Sequence, residues 1–79
     1  MMRIRIKIIG SNCSNGIKLT KMVSRACQEI EEPIEVETVA DPKENKRYGI
    51  TNVPGLVIDG TVVSQGKVLT VREIKKLLA

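Results

Sequence analysis

A chain of 79 residues is shorter than the common domain size of roughly 100 to 150, so we expect one domain over residues 1–79. Thirteen basic and nine acidic residues give a formal net charge of +4, a modest excess for a dedicated nucleic-acid binder. The sequence contains neither a run of about 18 apolar residues nor a segment resembling a signal peptide, so we expect a cytoplasmic protein without a membrane partner.

Charged and apolar residues alternate in two segments of the first half. Residues 3–8 and residues 34–39 each have the period of two that predicts a strand with one buried face. The charges on the two predicted strands have opposite signs: Arg3, Arg5 and Lys7 on the first, Glu35 and Glu37 on the second. We therefore expect cross-strand charge pairs rather than a phosphate-binding surface. Because Tyr48 is the only aromatic residue, no stacking platform for nucleic acid is expected either.

A polar loop and an amphipathic helix connect these strands. Gly10 ends the first strand, and residues 11–15 are of types that favour turns and helix caps. Apolar residues then recur at spacings of three and four, which predicts a helix over residues 16–31 that ends before Pro33. The apolar stripe of this helix consists of Leu19, Met22, Val23, Ala26, Cys27 and Ile30.

The second half predicts a short helix and a hairpin. Asp41-Pro42 favours the start of a charged helix, and Gly49 favours its end. Residues 56–58 and 61–64 then predict two antiparallel strands, because the two residues between them, Asp59-Gly60, favour a tight hairpin turn.

Thr70 and Glu73 have the spacing of a capping box and predict a closing helix. The complete order is β-α-β-α-β-β-α. This order predicts an α/β fold with a four-stranded mixed sheet packed by helices.

That order, with a cysteine-containing loop after the first strand and Val53-Pro54 before the third, resembles the thioredoxin fold in its minimal, glutaredoxin-sized form. Three stretches are similar to the small redox-active disulfide proteins of archaea and bacteria: residues 10–16 (Gly-Ser-Asn-Cys-Ser-Asn-Gly), residues 53–60 and residues 66–73. In that family the loop carries a Cys-x-x-Cys pair, and the proline peptide is cis. The resemblance implies a thiol-based redox or electron-transfer protein.

Gly16 departs from this pattern, because it stands where the second cysteine of the pair would be. A dithiol enzyme attacks its target with the first thiolate and releases it with the second. The resemblance therefore implies a thiol-disulfide oxidoreductase without its resolving cysteine, in which Cys13 is the nucleophile and an external thiol resolves the mixed disulfide. The positive end of the first helix, with Lys18 and Lys21 nearby, would stabilise the Cys13 thiolate.

The resemblance also implies a surface for a thiol- or disulfide-bearing protein partner. In the family, the loop before the third strand offers backbone groups to an extended partner, and the corresponding positions here are Val53, Pro54 and Gly55. We add the residues that flank the thiol, Asn12, Ser14 and Asn15. We expect a monomer that meets a protein partner and a small resolving thiol.

Two further interpretations concern the cysteines. Cys27 lies about 15 to 20 Å along the helix from Cys13, too far for a disulfide, and is interpreted as a small core residue. Because the chain has no histidine and its two cysteines are far apart, we expect no metal site within one chain and no cofactor. The alternative functions are a redox-inactive protein-binding module and, less favoured, a dimer in which two copies of Cys13 hold a metal ion or an iron-sulfur cluster.

Overall fold

The computed structural model describes residues 3–78. Its elements, in chain order, are β1 (Ile4–Ile9), α1 (Ser14–Glu29), β2 (Ile34–Val39), α2 (Pro42–Arg47), β3 (Gly55–Ile58), β4 (Thr61–Gln65) and α3 (Val71–Leu78). This order and the mixed sheet confirm the predicted α/β fold. Among the helices of residues 3–78, none has both the length and the apolar character needed to cross a membrane.

The sheet has the strand order β2-β1-β3-β4, so β1 and β3 are its central strands. β1 runs parallel to β2 and antiparallel to β3. β3 and β4 form the predicted hairpin, and both of its turn residues, Asp59 and Gly60, have positive φ angles, as a type I′ turn requires. Ile9, at the end of β1, lies opposite Gly55, at the start of β3. The loop after β1 and the loop before β3 therefore lie next to each other at the same end of the sheet.

The main core lies on one face of the sheet, where α1 and α3 contact each other. Its buried side chains are Ile6, Ile8, Leu19, Val23, Ala26, Leu56, Leu69 and Ile74. Cys27 is half-buried and packs against this cluster, which agrees with its interpretation as a residue of the apolar stripe. The sheet and the two longer helices, α1 and α3, thus enclose the main core between them.

The opposite face of the sheet carries the charge pairs predicted from the alternating strands. Arg5 is directly opposite Glu35, with 3.9 Å between Nε and Oε2. Lys7 is directly opposite Glu37, with 3.7 Å between Nζ and Oε2. The predicted cross-strand pairing is confirmed, and it follows from the parallel register of β1 and β2.

The first helix begins and ends two residues earlier than predicted. The periodicity indicated residues 16–31, whereas α1 covers Ser14–Glu29. The helix begins earlier because Cys13 caps it, accepting a hydrogen bond from the backbone N–H of Gly16. It ends earlier because Ile30 has an extended conformation, and Pro33 follows closely.

Three strands also extend beyond their predicted limits. β1 ends at Ile9 rather than at residue 8, because Ile9 pairs with Gly55 and is buried in a second cluster on the opposite face. β3 begins at Gly55 and β4 ends at Gln65, since these two residues pair with each other. Each of these limits is determined by pairing with a neighbouring strand. Such pairing produces no periodic pattern in the sequence of the strand itself.

Candidate functional site

The loop between β1 and α1 is held against the end of β2. The backbone N–H groups of Gly10 and Ser11 both donate to the carbonyl oxygen of Val39, at 2.8 and 3.3 Å. Gly10 has a φ of 74°, a left-handed conformation that glycine adopts without steric cost. The chain can therefore turn sharply from the central strand into the first turn of α1.

Cys13 is the N-cap residue of α1, with an extended backbone conformation. Its Sγ accepts a hydrogen bond from the backbone N–H of Gly16 at 3.2 Å. The same Sγ lies 3.1 Å from the carbonyl oxygen of Gly10, to which the S–H group donates. The first contact can be accepted by either a thiol or a thiolate sulfur, whereas in the second contact the sulfur must carry its proton in order to donate. The half-buried thiol is thus held between a donor and an acceptor.

The first turn of α1, which begins beside this sulfur, contains no acidic residue. Lys18 and Lys21 are exposed further along α1. No carboxylate of the first turn would therefore repel an anion at the N-terminus of this helix. The two lysines add positive charge to the same helix.

The other residues predicted to flank the thiol are exposed. They are Asn12, Ser14 and Asn15, which lie in the loop and the first turn of α1. Ile17 is also exposed, although it is a large apolar residue. The surface beside Cys13 therefore combines short polar side chains with one apolar side chain.

The loop before β3 lies against the cysteine loop. The side chain of Val53 contacts Gly10 so closely that a Cβ atom added to Gly10 would lie 2.6 Å from Cγ1 of Val53. Val53 remains 40% exposed, whereas Pro54 is buried, and the peptide bond between them is cis. The fold thus brings together two segments that are about 40 residues apart in the sequence.

Of the three residues in the loop before β3 that were predicted to meet a partner, Val53 is the most accessible. Pro54 has no N–H group, and its carbonyl oxygen accepts from the N–H of Gly66 at 2.9 Å. Gly55 is buried in the sheet between Ile9 and Gln65. Val53 is therefore the accessible residue of this loop.

The side chain of Gln65 holds this loop by hydrogen bonds, a role that was not predicted from the sequence. Its Oε1 accepts hydrogen bonds from the backbone N–H groups of Thr51 and Asn52, at 3.0 and 3.4 Å. These contacts hold the segment before Val53 to the end of β4. The sequence carries no signal for this role, because a glutamine that directly follows a predicted strand is ordinarily a solvated residue.

Cys27 has a different environment from Cys13. Partial burial raises the pKa of the Cys27 thiol, since desolvation penalises the charged form. Both cysteines are free thiols. Within residues 3–78 no group of three or more His, Cys, Asp or Glu side chains is placed to hold a metal ion. The two thiols therefore lie in different environments, Cys13 at the N-terminus of α1 and Cys27 against the main core.

Comparison with known proteins agrees with this geometry. Residues 4–79 match a family model described as a thioredoxin domain. A thioredoxin from Methanothermobacter thermautotrophicus is 33% identical over 76 residues, which cover 96% of this chain and 99% of the relative. The match thus spans the whole fold, including the cysteine loop and the loop before β3. The chain belongs to the thioredoxin family and is a thioredoxin-like redox protein.

Proposed function

We propose that this chain is a monothiol member of the family that carries out thiol-disulfide exchange through Cys13. The observation that carries the proposal is the hydrogen bond from the Gly16 N–H to Sγ of Cys13, 3.2 Å long, at the N-terminus of α1. A backbone donor and a positive helix end both stabilise a thiolate, which is the nucleophile in this exchange.

The exchange has two steps. The Cys13 thiolate attacks one sulfur of a partner disulfide, forms a mixed disulfide and releases the second partner sulfur as a thiolate. An external thiolate then attacks the partner's sulfur in the mixed disulfide, forms a disulfide with it and frees the Cys13 thiolate. Electrons balance, because one thiolate is consumed and one is released in each step. The external thiol is required because Gly16 offers no second nucleophile.

The partner in this proposal is a disulfide-bearing protein with an extended segment. Val53 supports the assignment, since it is exposed and its loop lies against Gly10 of the cysteine loop. A single chain supplies both Cys13 and Val53, so we propose that the monomer is active. We also propose a cytoplasmic location, where the reducing conditions keep a functional thiol free.

Formation of the mixed disulfide tests this function. The chain is incubated at neutral pH with oxidised glutathione, a low-molecular-weight disulfide, and the adducts are located by mass spectrometry after proteolysis. We expect an adduct on Cys13 in the wild type and in the Cys27→Ala variant. We expect none in the Cys13→Ser variant, whose circular dichroism spectrum should remain that of the wild type.

An equal adduct yield in the folded Cys13→Ser variant would show that Cys13 is not the nucleophile. The second half of the cycle is tested by adding reduced glutathione to the purified adduct. Release of the free Cys13 thiol is expected, and an adduct that resists the added thiol contradicts the catalytic cycle.

A redox-inactive binding module is the second candidate. It is favoured by the S–H group of Cys13, which donates to the Gly10 carbonyl oxygen at 3.1 Å. The two functions differ in the rate of adduct formation. An active monothiol forms the adduct faster in the folded chain than in urea, where Cys13 has no helix to activate it. A binding module forms it no faster when folded.

A further inference from the structure

Gly16 occupies a position where the backbone of the cysteine loop leaves no room for a side chain. A Cβ atom built on Gly16 would lie 2.4 Å from the carbonyl oxygen of Gly10 and 2.8 Å from Cα of Ser11. Contacts under 3.0 Å are essentially never made by real Cβ atoms. The obstructing atoms are backbone, so a change of rotamer cannot relieve the contact.

The need for glycine here is spatial rather than conformational. Gly16 is the third residue of α1 and is not among the residues with positive φ. Any L-residue can adopt a helical backbone, and alanine favours a helix more than glycine does. The close approach of residues 10 and 11 is the feature that only glycine permits.

The same contact holds the acceptor of the Cys13 thiol in place. The Gly10 carbonyl oxygen that borders Gly16 also accepts from the backbone N–H of Cys13, at 3.4 Å, and from its S–H group, at 3.1 Å. Gly10 is fixed further by its N–H bond to Val39, at 2.8 Å, and by the side chain of Val53. A residue larger than glycine at position 16 must displace this carbonyl group and therefore disturb the thiol.

We propose that Gly16 is a positioning residue for Cys13 and that the site is closed to a second thiol. The inference rests on the proposed monothiol function and deepens it. The cysteine loop fills the volume that a resolving side chain would need, so substitution at position 16 alone does not produce a working dithiol pair. Resolution of the mixed disulfide by an external thiol is then a consequence of the packing of this loop.

The Gly16→Ala variant tests the packing, because it adds only the obstructed Cβ atom. We expect its urea midpoint to fall below that of the wild type, although helix propensity predicts a rise. The matched control is the exposed residue Ser24 on the same helix, where Ser24→Ala is expected to be more stable than Ser24→Gly. A midpoint of Gly16→Ala equal to or above that of the wild type overturns the proposal.

Infrared spectroscopy of the S–H stretch tests the positioning of the thiol. In the Cys27→Ala background Cys13 supplies the only S–H band. A lost bond to the Gly10 carbonyl should move this band to higher frequency when Gly16→Ala is added. An unchanged band would show that Gly16 does not position the thiol, even if stability falls.

Val53→Ala in the Gly16→Ala background covers the case in which Gly16→Ala alone fails to fold, because folding of the double variant is then the readout; where Gly16→Ala folds, the same variants form a double-mutant cycle. Val53→Ala removes the side chain that presses on Gly10, so the loop can retreat from a Cβ atom at position 16. The urea midpoint of the double variant is then expected to exceed the value that additivity predicts. Additive losses, or a double variant that also fails to fold, contradict the proposal.

The Gly16→Cys variant tests closure to a second thiol. After reaction with oxidised glutathione, we expect the glutathione adduct to persist on Cys13, because the introduced thiol cannot reach the Cys13 sulfur. Prompt release of glutathione with formation of an intramolecular disulfide, at an unchanged urea midpoint, overturns the proposal. The wild-type adduct is measured in parallel. Its absence would refute the proposed function and leave the packing result standing.

Discussion

The two thiols of this chain differ in their environment. Cys13 caps a helix at a surface loop, whereas Cys27 packs against the main core and burial raises the pKa of its thiol. We expect Cys13 to be alkylated by iodoacetamide faster than Cys27 in the folded chain at neutral pH, because only a thiolate reacts and Cys27 is partly shielded. Brief labelling followed by peptide mass spectrometry measures both rates in one sample.

Labelling in urea is the control for this prediction. Unfolding removes both environments, so the two rates should become similar. Faster labelling of Cys27 than of Cys13 in the folded chain would contradict the assignment of Cys13 as the reactive thiol.

At the scale of single elements, α3 begins with the capping box that the sequence predicts. The N–H of Glu73 donates to Oγ1 of Thr70 at 3.2 Å, and the N–H of Thr70 donates to Oε1 of Glu73 at 3.1 Å. The hydroxyl of Thr70 donates to the same carboxylate oxygen. Hydrogen bonds from Thr70, first from its backbone and then from its side chain, lower the pKa of Glu73. This carboxylate therefore stabilises the helix in its ionised form.

We expect Thr70→Ala to lower the free energy of unfolding by about 1 kcal/mol at neutral pH. The part that depends on Glu73 has a defined pH range. Because the pKa of Glu73 is lower in the folded state, its contribution is complete above the ordinary glutamate value of about 4.3 and is lost as the pH falls through the folded value. The difference between wild type and variant should therefore shrink in acid.

Urea denaturation at neutral pH and near pH 3 measures this difference. A difference that grows in acid would contradict the sign of the pKa shift. Ser24→Ala, at an exposed position of α1, is the control, since its effect should change little between the two pH values.

The boundaries of the elements show how far local patterns reach. The capping box of α3 and the Asp59-Gly60 turn depend on neighbouring residues, and both form as predicted. α1 begins earlier than its periodicity indicates, because the cap is a sulfur atom at Cys13 and cysteine is not among the preferred N-cap residues. Neighbouring residues were therefore enough to predict where an element begins or ends when they formed a known capping or turn motif.

At the scale of the whole molecule, stability depends on the core between the sheet and the two long helices. Leu56 is fully buried in that core, whereas Leu77 on α3 is 42% exposed. We expect Leu56→Ala to lower the free energy of unfolding by about 2 to 5 kcal/mol, a large part of the 5 to 15 kcal/mol typical of a domain. Leu77→Ala, the matched control, should change it by about 0.5 kcal/mol.

Urea denaturation of both leucine variants checks this comparison. Equal losses would show that burial of Leu56 does not distinguish it from a surface leucine.

The sequence by itself determined the order of the elements, the charge pairing of β1 with β2 and the position of the thiol at the start of a helix. Each depends on residues close together in the chain, or on alternation that a strand displays directly. The resemblance carried by residues 10–16 and 53–60 then indicated the family, which the comparisons established.

Only the tertiary structure decided how the site is built. The close approach of Gly16 to the Gly10 carbonyl group involves backbone atoms, which leave no signal in the sequence. The hydrogen bond from Thr51 to Gln65 and the exposure of Val53 depend on how segments that are separate in the sequence pack together. Glycine at position 16 is the clearest case. In the sequence it marks a missing thiol, whereas in the structure it is a residue whose neighbours leave no space for anything larger, because steric exclusion is a property of the folded chain.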